Sequence, residues 1–173
     1  MASFGERLLR TARLEAAAYE EVERDEQATG QALAVVVLSS LAAGVGIGAG
    51  PGGLLWGVLS SLVGWYLWAL LTYWIGTRWL PEPETRSSHR ELLRVVGFAS
   101  GPGLIRVLGV VPPLRGLVFL VAAVWMLVAG VIAVRQALDY RGTGRAVLVV
   151  VIGWVIQWLV MAAILFLLRR PAG

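Results

Sequence analysis

The sequence contains no cysteine, lysine or asparagine, and it has a single histidine, His89. Without cysteine the chain can form no disulfide, thiolate nucleophile or thiolate-bound metal site, and one histidine excludes metal sites built from several. Charge is also scarce, because only 15% of the 173 residues are charged whereas 58% are hydrophobic. A soluble domain has about 25% charged and about 45–50% apolar residues. Much of the apolar surface of this chain must therefore face lipid.

Uncharged apolar runs divide the chain into membrane spans. At ~1.5 Å rise per residue, about 20 residues cross a ~30 Å hydrocarbon core. The runs predict an all-α integral membrane protein, with an N-terminal cytosolic region at 1–28 and a transmembrane domain at 29–173. Five transmembrane helices are expected near 31–49, 54–76, 93–111, 116–137 and 146–168.

The third span is interrupted by glycine and proline in "GFASGPGLIRVLGVVPP". Pro102 has no N–H, so it frees the carbonyl of Phe98 and kinks a helix there. Freed carbonyls need partners in lipid, so we expect this stretch to be buried among other helices, with Arg106 snorkelling to the far interface. The predicted helix break consists of Gly97, Gly101, Pro102 and Gly103, with the kink at Gly101-Pro102-Gly103.

The alternative for this stretch is a re-entrant hairpin, which leaves four spans and places the C-terminus inside. All fifteen basic residues are arginine, and the five-span arrangement puts eleven of them on the cytosolic side while the four-span arrangement puts twelve there. Both satisfy the positive-inside rule and place the N-terminus in the cytosol. The arginine count therefore orients the chain, in what we expect to be a bacterial cytoplasmic membrane, without choosing between the two.

The first residues predict an amphipathic helix on the membrane surface. Ser3 and Glu6 form a capping-box pattern that starts a helix. Basic residues flank an apolar face, and the second half is acidic. The apolar residues recur at roughly helical spacing: Phe4, Leu8, Ala12, Tyr19 and Val22.

Two further sets of residues are candidate sites. Arg135 and Asp139 are four residues apart and would share one face of a continuous helix, so they form a candidate polar cluster at the inner interface. We expect Asp139 to pair with Arg135 or with an arginine of the 78–94 loop. Arginines near the cytosolic surface can contact anionic lipid headgroups, at about 1 kcal/mol each. The candidates for headgroup contact are Arg78, Arg86, Arg90 and Arg94.

Small residues at four-residue or near-four-residue steps allow helix backbones to approach closely in lipid. They predict packing within the chain or against a protein partner or second copy. The set comprises Ala42, Gly46, Gly50, Gly53, Gly57, Ser60 and Gly64.

Patterns that carry chemistry are missing or out of context. The glycines of "GAGPGG" match a dinucleotide-binding fingerprint, but that motif needs a preceding strand and an acid about 20 residues later, whereas an apolar span precedes it here. The arginines flank spans, so orientation explains them better than nucleic acid does. We therefore expect no enzyme, cofactor, metal site or nucleic-acid partner.

The order of segments resembles the bacterial branch of the Yip1 domain family over about residues 19–168. The segments that carry the resemblance include "YEEVERDEQATGQAL", "LWALLTYWIGTRW", "HRELLRVVGFASGPGLIRVLG" and "VWMLVAGVIAVRQALDYRGTGRAVLVVVIGW". The resemblance implies five spans and a cytosolic N-terminus. Eukaryotic relatives act in vesicle trafficking and contact prenylated Rab-type GTPases, but their Asp-Leu-Tyr-Gly-Pro-type motif is absent and "LDYRG" is no substitute, so GTPase binding is not carried over.

These observations favour a non-enzymatic membrane protein of the Yip1 type, acting as an adaptor, scaffold or membrane-organising component. A small transporter or channel is the alternative, and an accessory subunit of a larger membrane complex is another. A water-accessible polar path through the spans would favour transport.

Overall fold

The computed structural model describes the backbone of residues 2–168 and the side chains of residues 2–157, 159 and 160. The end of the predicted domain, 169–173, lies outside this range. All regular secondary structure within it is helical. The α-helices are α1 Phe4–Ala12, α2 Ala16–Arg24, α3 Ala28–Ile47, α4 Pro51–Trp74, α5 His89–Ala99, α6 Arg115–Ala137 and α7 Thr143–Leu168.

Shorter helical segments adjoin three of these helices. A π-helical turn at Ile75–Trp79 continues α4, and a 3-10 helix at Gly101–Val110 follows α5. A 3-10 turn at Pro112–Leu114 leads into α6. The stretches long and apolar enough to cross a membrane are Ala28–Ile47, Pro51–Trp79, His89–Val110 and Pro112–Ala137.

These four stretches match the first four predicted spans to within a few residues at each end. α7 covers the fifth predicted span with 26 residues. The predicted glycine-rich turn joins α3 to α4: Gly48 takes the left-handed conformation, φ +75°, that ends α3, and Pro51 opens α4 at a position where its missing N–H has no helical partner to lose.

The predicted N-terminal helix is divided into two. α1 ends near Arg13, and Leu14 takes a positive φ of 66° before α2 begins. The cap at Ser3 forms as expected, since the Glu6 N–H donates to its hydroxyl. The apolar faces of both helices pack on the bundle, whereas the sequence predicted a membrane-surface helix: Tyr19 and Val22 of α2 are fully buried, and Phe4 and Leu8 of α1 pack against the core.

The third stretch runs alongside α3 in the same direction. Successive glycines lie against successive residues of α3: Gly97 against Ala32, Gly101 against Val35, Gly103 against Ser39 and Gly109 against Gly46. The segment thus advances along fourteen residues of α3, about 21 Å at the rise of a helix. A hairpin that turned back halfway would return toward Ala32, and the segment does not.

Candidate functional site

Most charged residues of the described chain lie at the end of the bundle where α3 begins and α6 ends. The first part of this polar layer is the hairpin of α1 and α2. Tyr19 closes the hairpin by donating its hydroxyl to the Thr11 carbonyl at 2.9 Å. Burial raises the pKa of Tyr19 above its ordinary value, so this donor keeps its proton.

Arg7 holds the two helices together electrostatically. Its side chain is buried, and it pairs with Glu21 at 3.0 Å and with Asp25 at 2.6 Å. It also donates to Gln31 at the start of α3. The hydrogen bond from Arg7 is the main reason that the pKa of Asp25 lies below its usual range. Because these carboxylates stay ionised, the hairpin keeps its ion pairs at neutral and mildly acidic pH.

Two side chains of the spans fix the hairpin to the bundle. Arg94 of α5 is 4% exposed and donates from both Nε and Nη2 to the backbone carbonyl of Glu23. Trp125 of α6 donates its indole N–H to the carbonyl of Ala12 at 2.7 Å. These carbonyls lie in the last turns of α2 and at the end of α1, where helices leave acceptors unsatisfied.

Arg94 therefore differs from the other predicted headgroup contacts. Its guanidinium is buried and occupied by the end of α2, so it does not face lipid headgroups. Arg78, Arg86 and Arg90 are exposed, and they form no ion pair with the residues that the structure describes. The helix that carries Arg90 and Arg94 begins with a reciprocal capping box, in which Ser88 and Glu91 each accept the other's N–H.

The Glu23 side chain of α2 is partly buried. Glu23 has its pKa raised to about 7, first by burial and then by repulsion from Asp139 and Glu91.

The second part of the layer joins the loop after α4 to the turn between α6 and α7. Tyr140 donates its hydroxyl to the carbonyls of Gly76 and Leu80, at 3.1 and 2.8 Å. These are carbonyls of the π-helical turn and its end, where the regular α-helical ladder is lost. Burial raises the pKa of Tyr140 to about 12. Arg141 and Arg145 pair with Glu84 and Glu82 on the surface of the same junction.

The predicted pair of Arg135 and Asp139 does not form within the described structure. Arg135 instead bonds the carbonyls of Tyr140 and Arg141. The prediction assumed a continuous helix, but α6 ends at Ala137 and Asp139 takes a positive φ of 52°. That turn removes Asp139 from the helical face of Arg135 and leaves it exposed.

The predicted break lies where the helix type changes. α5 ends at Ala99, the 3-10 helix begins at Gly101, and the N–H of Gly103 donates to Ser100. The Ser100 hydroxyl donates to the Gly97 carbonyl at 2.6 Å. A carbonyl at the break is thus satisfied by a side chain, as lipid surroundings require. All four residues of the predicted break are buried: Gly97, Gly101, Pro102 and Gly103. The kink expected at this point stays a prediction.

A cavity of about 670 Å³ lies among the spans, lined by α3, α4, α6, α7 and the third stretch. Arg106 lines it but does not snorkel to the far interface. Its Nε donates to the Gly103 carbonyl at 3.2 Å, and its Nη2 contacts the Ser39 hydroxyl at 3.2 Å and the Met126 sulfur at 2.9 Å. The sequence did not reveal this site, because the position of Arg106 near the end of the third span suggested that its side chain reaches the interface. The 3-10 geometry and the bare backbone of Gly103 direct the side chain inward.

The small residues divide into two groups. Ala42 and Gly46 of α3 are buried, and a side chain at Gly46 would overlap the backbone carbonyl of Arg106. Gly57 and Gly64 of α4 have open space around them and line the cavity. The predicted close packing thus forms on α3, whereas the glycine face of α4 borders empty volume.

One comparison with known proteins finds a match. The family model described as the Yip1 domain matches residues 13–165. No curated protein and no solved structure matches the chain. The matched range includes α2 through most of α7, with the break, the polar layer and the cavity. The chain belongs to the Yip1 domain family.

Proposed function

We propose that the chain is a non-enzymatic adaptor or membrane-organising protein of the Yip1 type. The observation that carries this proposal is the polar layer, in which the α1–α2 hairpin is fixed to the spans by Arg94 and Trp125. A surface that is already folded loses less conformational entropy when a partner binds. The layer is therefore suited to docking a protein on the bundle.

The partner surface proposed here is a groove between α1 and α2. Its charged lining holds more acids than arginines, which favours a partner with a basic segment. The charged residues are Glu6, Arg7, Arg10, Glu20, Glu21, Arg24, Asp25 and Glu26.

Five crossings with a cytosolic N-terminus complete the proposal. The parallel run of His89–Val110 along α3 supports a crossing rather than a hairpin, and the arginine distribution supports a cytosolic polar layer. Arg78, Arg86 and Arg90 would then face the headgroups of the inner leaflet of a bacterial membrane. The topology is tested by fusions after Gly173. Alkaline phosphatase activity supports five crossings, and a fluorescent cytosolic reporter without phosphatase activity contradicts them.

A small transporter is the second candidate, and the cavity beside Arg106 favours it. Photo-crosslinking in intact cells distinguishes the adaptor from the transporter. A photoreactive residue replaces Glu20, in the groove, or Leu67, an exposed apolar position of α4. We expect a discrete protein adduct at position 20 and none at 67. The transporter is favoured if position 20 gives no protein adduct and reconstituted vesicles show anion flux that Arg106→Gln abolishes.

A further inference from the structure

The guanidinium of Arg106 lies near the middle of the membrane-spanning bundle, where a charge is costly. Its Nη2 contacts Ser39 of α3 and Met126 of α6. Ser39 is eleven residues from the start of α3 at Ala28, and Met126 is eleven residues from the start of α6 at Arg115. Either distance is about 16 Å at the rise of a helix, about half of a ~30 Å hydrocarbon core. An arginine at this depth pairs with another group or reaches water.

The chain supplies no acidic side chain to neutralise this charge. Every aspartate and glutamate lies at residues 6–26, at 82–91 or at 139, in the polar layer or its loops. The contacts of Arg106 with the described residues are a carbonyl, a hydroxyl and a thioether, all neutral. A buried cation without an opposite charge is strongly unfavourable. An anion from outside the chain would remove that cost.

Several hydrogen-bond donors in the cavity have no acceptor among the described residues. The hydrogen bonds of Arg106 use Nε and Nη2 and leave Nη1 without one. Ser39 accepts from Nη2, so its own hydroxyl proton stays available. Ser61 of α4 and Gln157 of α7 also line the cavity, and neither forms a hydrogen bond with the described residues. Donors that face one space inside an apolar bundle favour an occupant that accepts several hydrogen bonds.

The cavity extends from the depth of Arg106 toward the end of the bundle opposite the polar layer. Its lining on α3 runs from Val36 to Ile47, about 16 Å, and includes Ala49 in the turn before α4. Because α3 begins at the polar layer, this turn lies at the other membrane surface. The volume of about 670 Å³ is far above the ~30 Å³ that one water molecule occupies in the liquid. A small ion with part of its hydration shell can therefore lie along this length and reach Arg106.

We propose that this cavity binds a small monovalent inorganic anion, such as chloride, on the guanidinium of Arg106 and the hydroxyl of Ser39. One negative charge balances the single charge of Arg106, whereas a divalent anion would leave an excess buried charge. Water alone would satisfy the donors but would leave the charge unbalanced. The rings of Trp65 and Trp68 form part of the wall on α4, and such apolar surroundings strengthen the attraction between opposite charges. The site is separate from the polar layer, so the proposal goes beyond the adaptor role and does not depend on it.

The test is quenching of tryptophan fluorescence by iodide, with the protein in nanodiscs of zwitterionic lipid at constant ionic strength. Three tryptophans line the cavity, Trp65, Trp68 and Trp154, so iodide bound there should quench a saturable part of the emission. Chloride should reverse this part, and sulfate should not. Arg106→Gln should weaken iodide binding at least tenfold, the scale of a lost charge-assisted contact. Arg115→Gln is the matched control, because Arg115 is exposed at the start of α6, the same end of the bundle as the α3–α4 turn.

A second variant and a second quencher make the test independent of the folding of Arg106→Gln. Ser39→Ala keeps the charge and should weaken iodide binding about threefold to tenfold, the scale of one neutral hydrogen bond. Caesium, a cationic quencher, should give no saturable part, because Arg106 repels it. Quenching by iodide that stays linear in the wild type would overturn the proposal. Equal iodide affinity in Arg106→Gln and Arg115→Gln, undiminished affinity in Ser39→Ala, or displacement by sulfate as effective as by chloride would also overturn it. The protein adduct at position 20 is measured separately, so the adaptor role and the anion site can fail independently.

Discussion

Helices α3 and α4 carry the same kind of small residues, but only α3 uses them for tight packing. One third of the α3 span is buried within the protein, against 6% for the α4 span. The difference lies in what faces them. α3 meets the third stretch, whose own glycines allow contact between backbones, whereas α4 borders the cavity. Small residues show where helices can approach, and a complementary surface decides whether they do.

The sharpest test of this contrast is a matched pair of substitutions. A side chain at Gly46 would overlap the backbone carbonyl of Arg106, while Gly57 has open space. Gly46→Val should lower the free energy of unfolding by about 2–3 kcal/mol through overpacking. Gly57→Val should be neutral or slightly stabilising, because glycine is a poor helix former by about 0.5–1 kcal/mol. Thermal stability in detergent, followed by size-exclusion chromatography, measures both, and equal losses would mean that α4 packs closely in solution.

The α1–α2 hairpin extends the comparison, because Arg7 is paired with carboxylates whereas Arg106 in the cavity contacts only neutral groups. Arg7→Ala would leave Glu21 and Asp25 without their buried partner. We expect a loss of about 2 kcal/mol, less than for a fully buried pair because both carboxylates reach water. Residues 1–24 should become sensitive to protease in inverted membrane vesicles. Arg13→Ala is the control, because Arg13 is exposed. Identical protease sensitivity in the two variants would show that the hairpin does not depend on Arg7.

Glu23 differs from Glu21 and Asp25 because its side chain forms no ion pair with the described residues. The pH dependence of the stability tests this difference. Its pKa is raised to about 7 in the folded protein, above the ordinary value of ~4.3. Protonation therefore favours the folded state: this contribution is complete below about pH 4 and is lost as the pH rises through about 7. Glu23→Gln should stabilise the protein by about 1–3 kcal/mol at pH 8 and by much less at pH 5. A gain that is the same at both pH values would contradict a raised pKa.

The sequence was sufficient to locate the four stretches that are long and apolar enough to cross a membrane, because continuous apolar runs have few alternatives in lipid. Pro102, which cannot continue the hydrogen bonding of an α-helix, lies where α5 gives way to a 3-10 helix, and the kink itself stays a prediction. The direction of the third stretch required the structure. It depends on pairwise contacts such as Gly97 with Ala32, which no single segment encodes.

The sites were harder to predict for a related reason. Arg94 and Arg106 were both interpreted by their position along the chain, yet their surroundings differ from what that position suggests. Arg94 is covered by the end of α2, and Arg106 turns back over Gly103. Tyr140 was missed because the carbonyls that it satisfies, in the π-helical turn of α4, lie about sixty residues away in sequence.

The smallest expected effect is that of replacing Asp139. Its substitutions distinguish the predicted ion pair from the observed turn. If Asp139 paired with an arginine, Asp139→Asn would destabilise the protein. In the structure the carboxylate is exposed, takes a left-handed backbone conformation that asparagine also tolerates, and repels Glu23. We therefore expect Asp139→Asn to be neutral or to stabilise by at most about 0.5 kcal/mol at pH 8. Asp139→Ala should destabilise by about 1 kcal/mol, because alanine disfavours a positive φ. Thermal unfolding of the two variants side by side decides the matter, since an ion pair would make both equally destabilising, whereas the turn alone penalises only alanine.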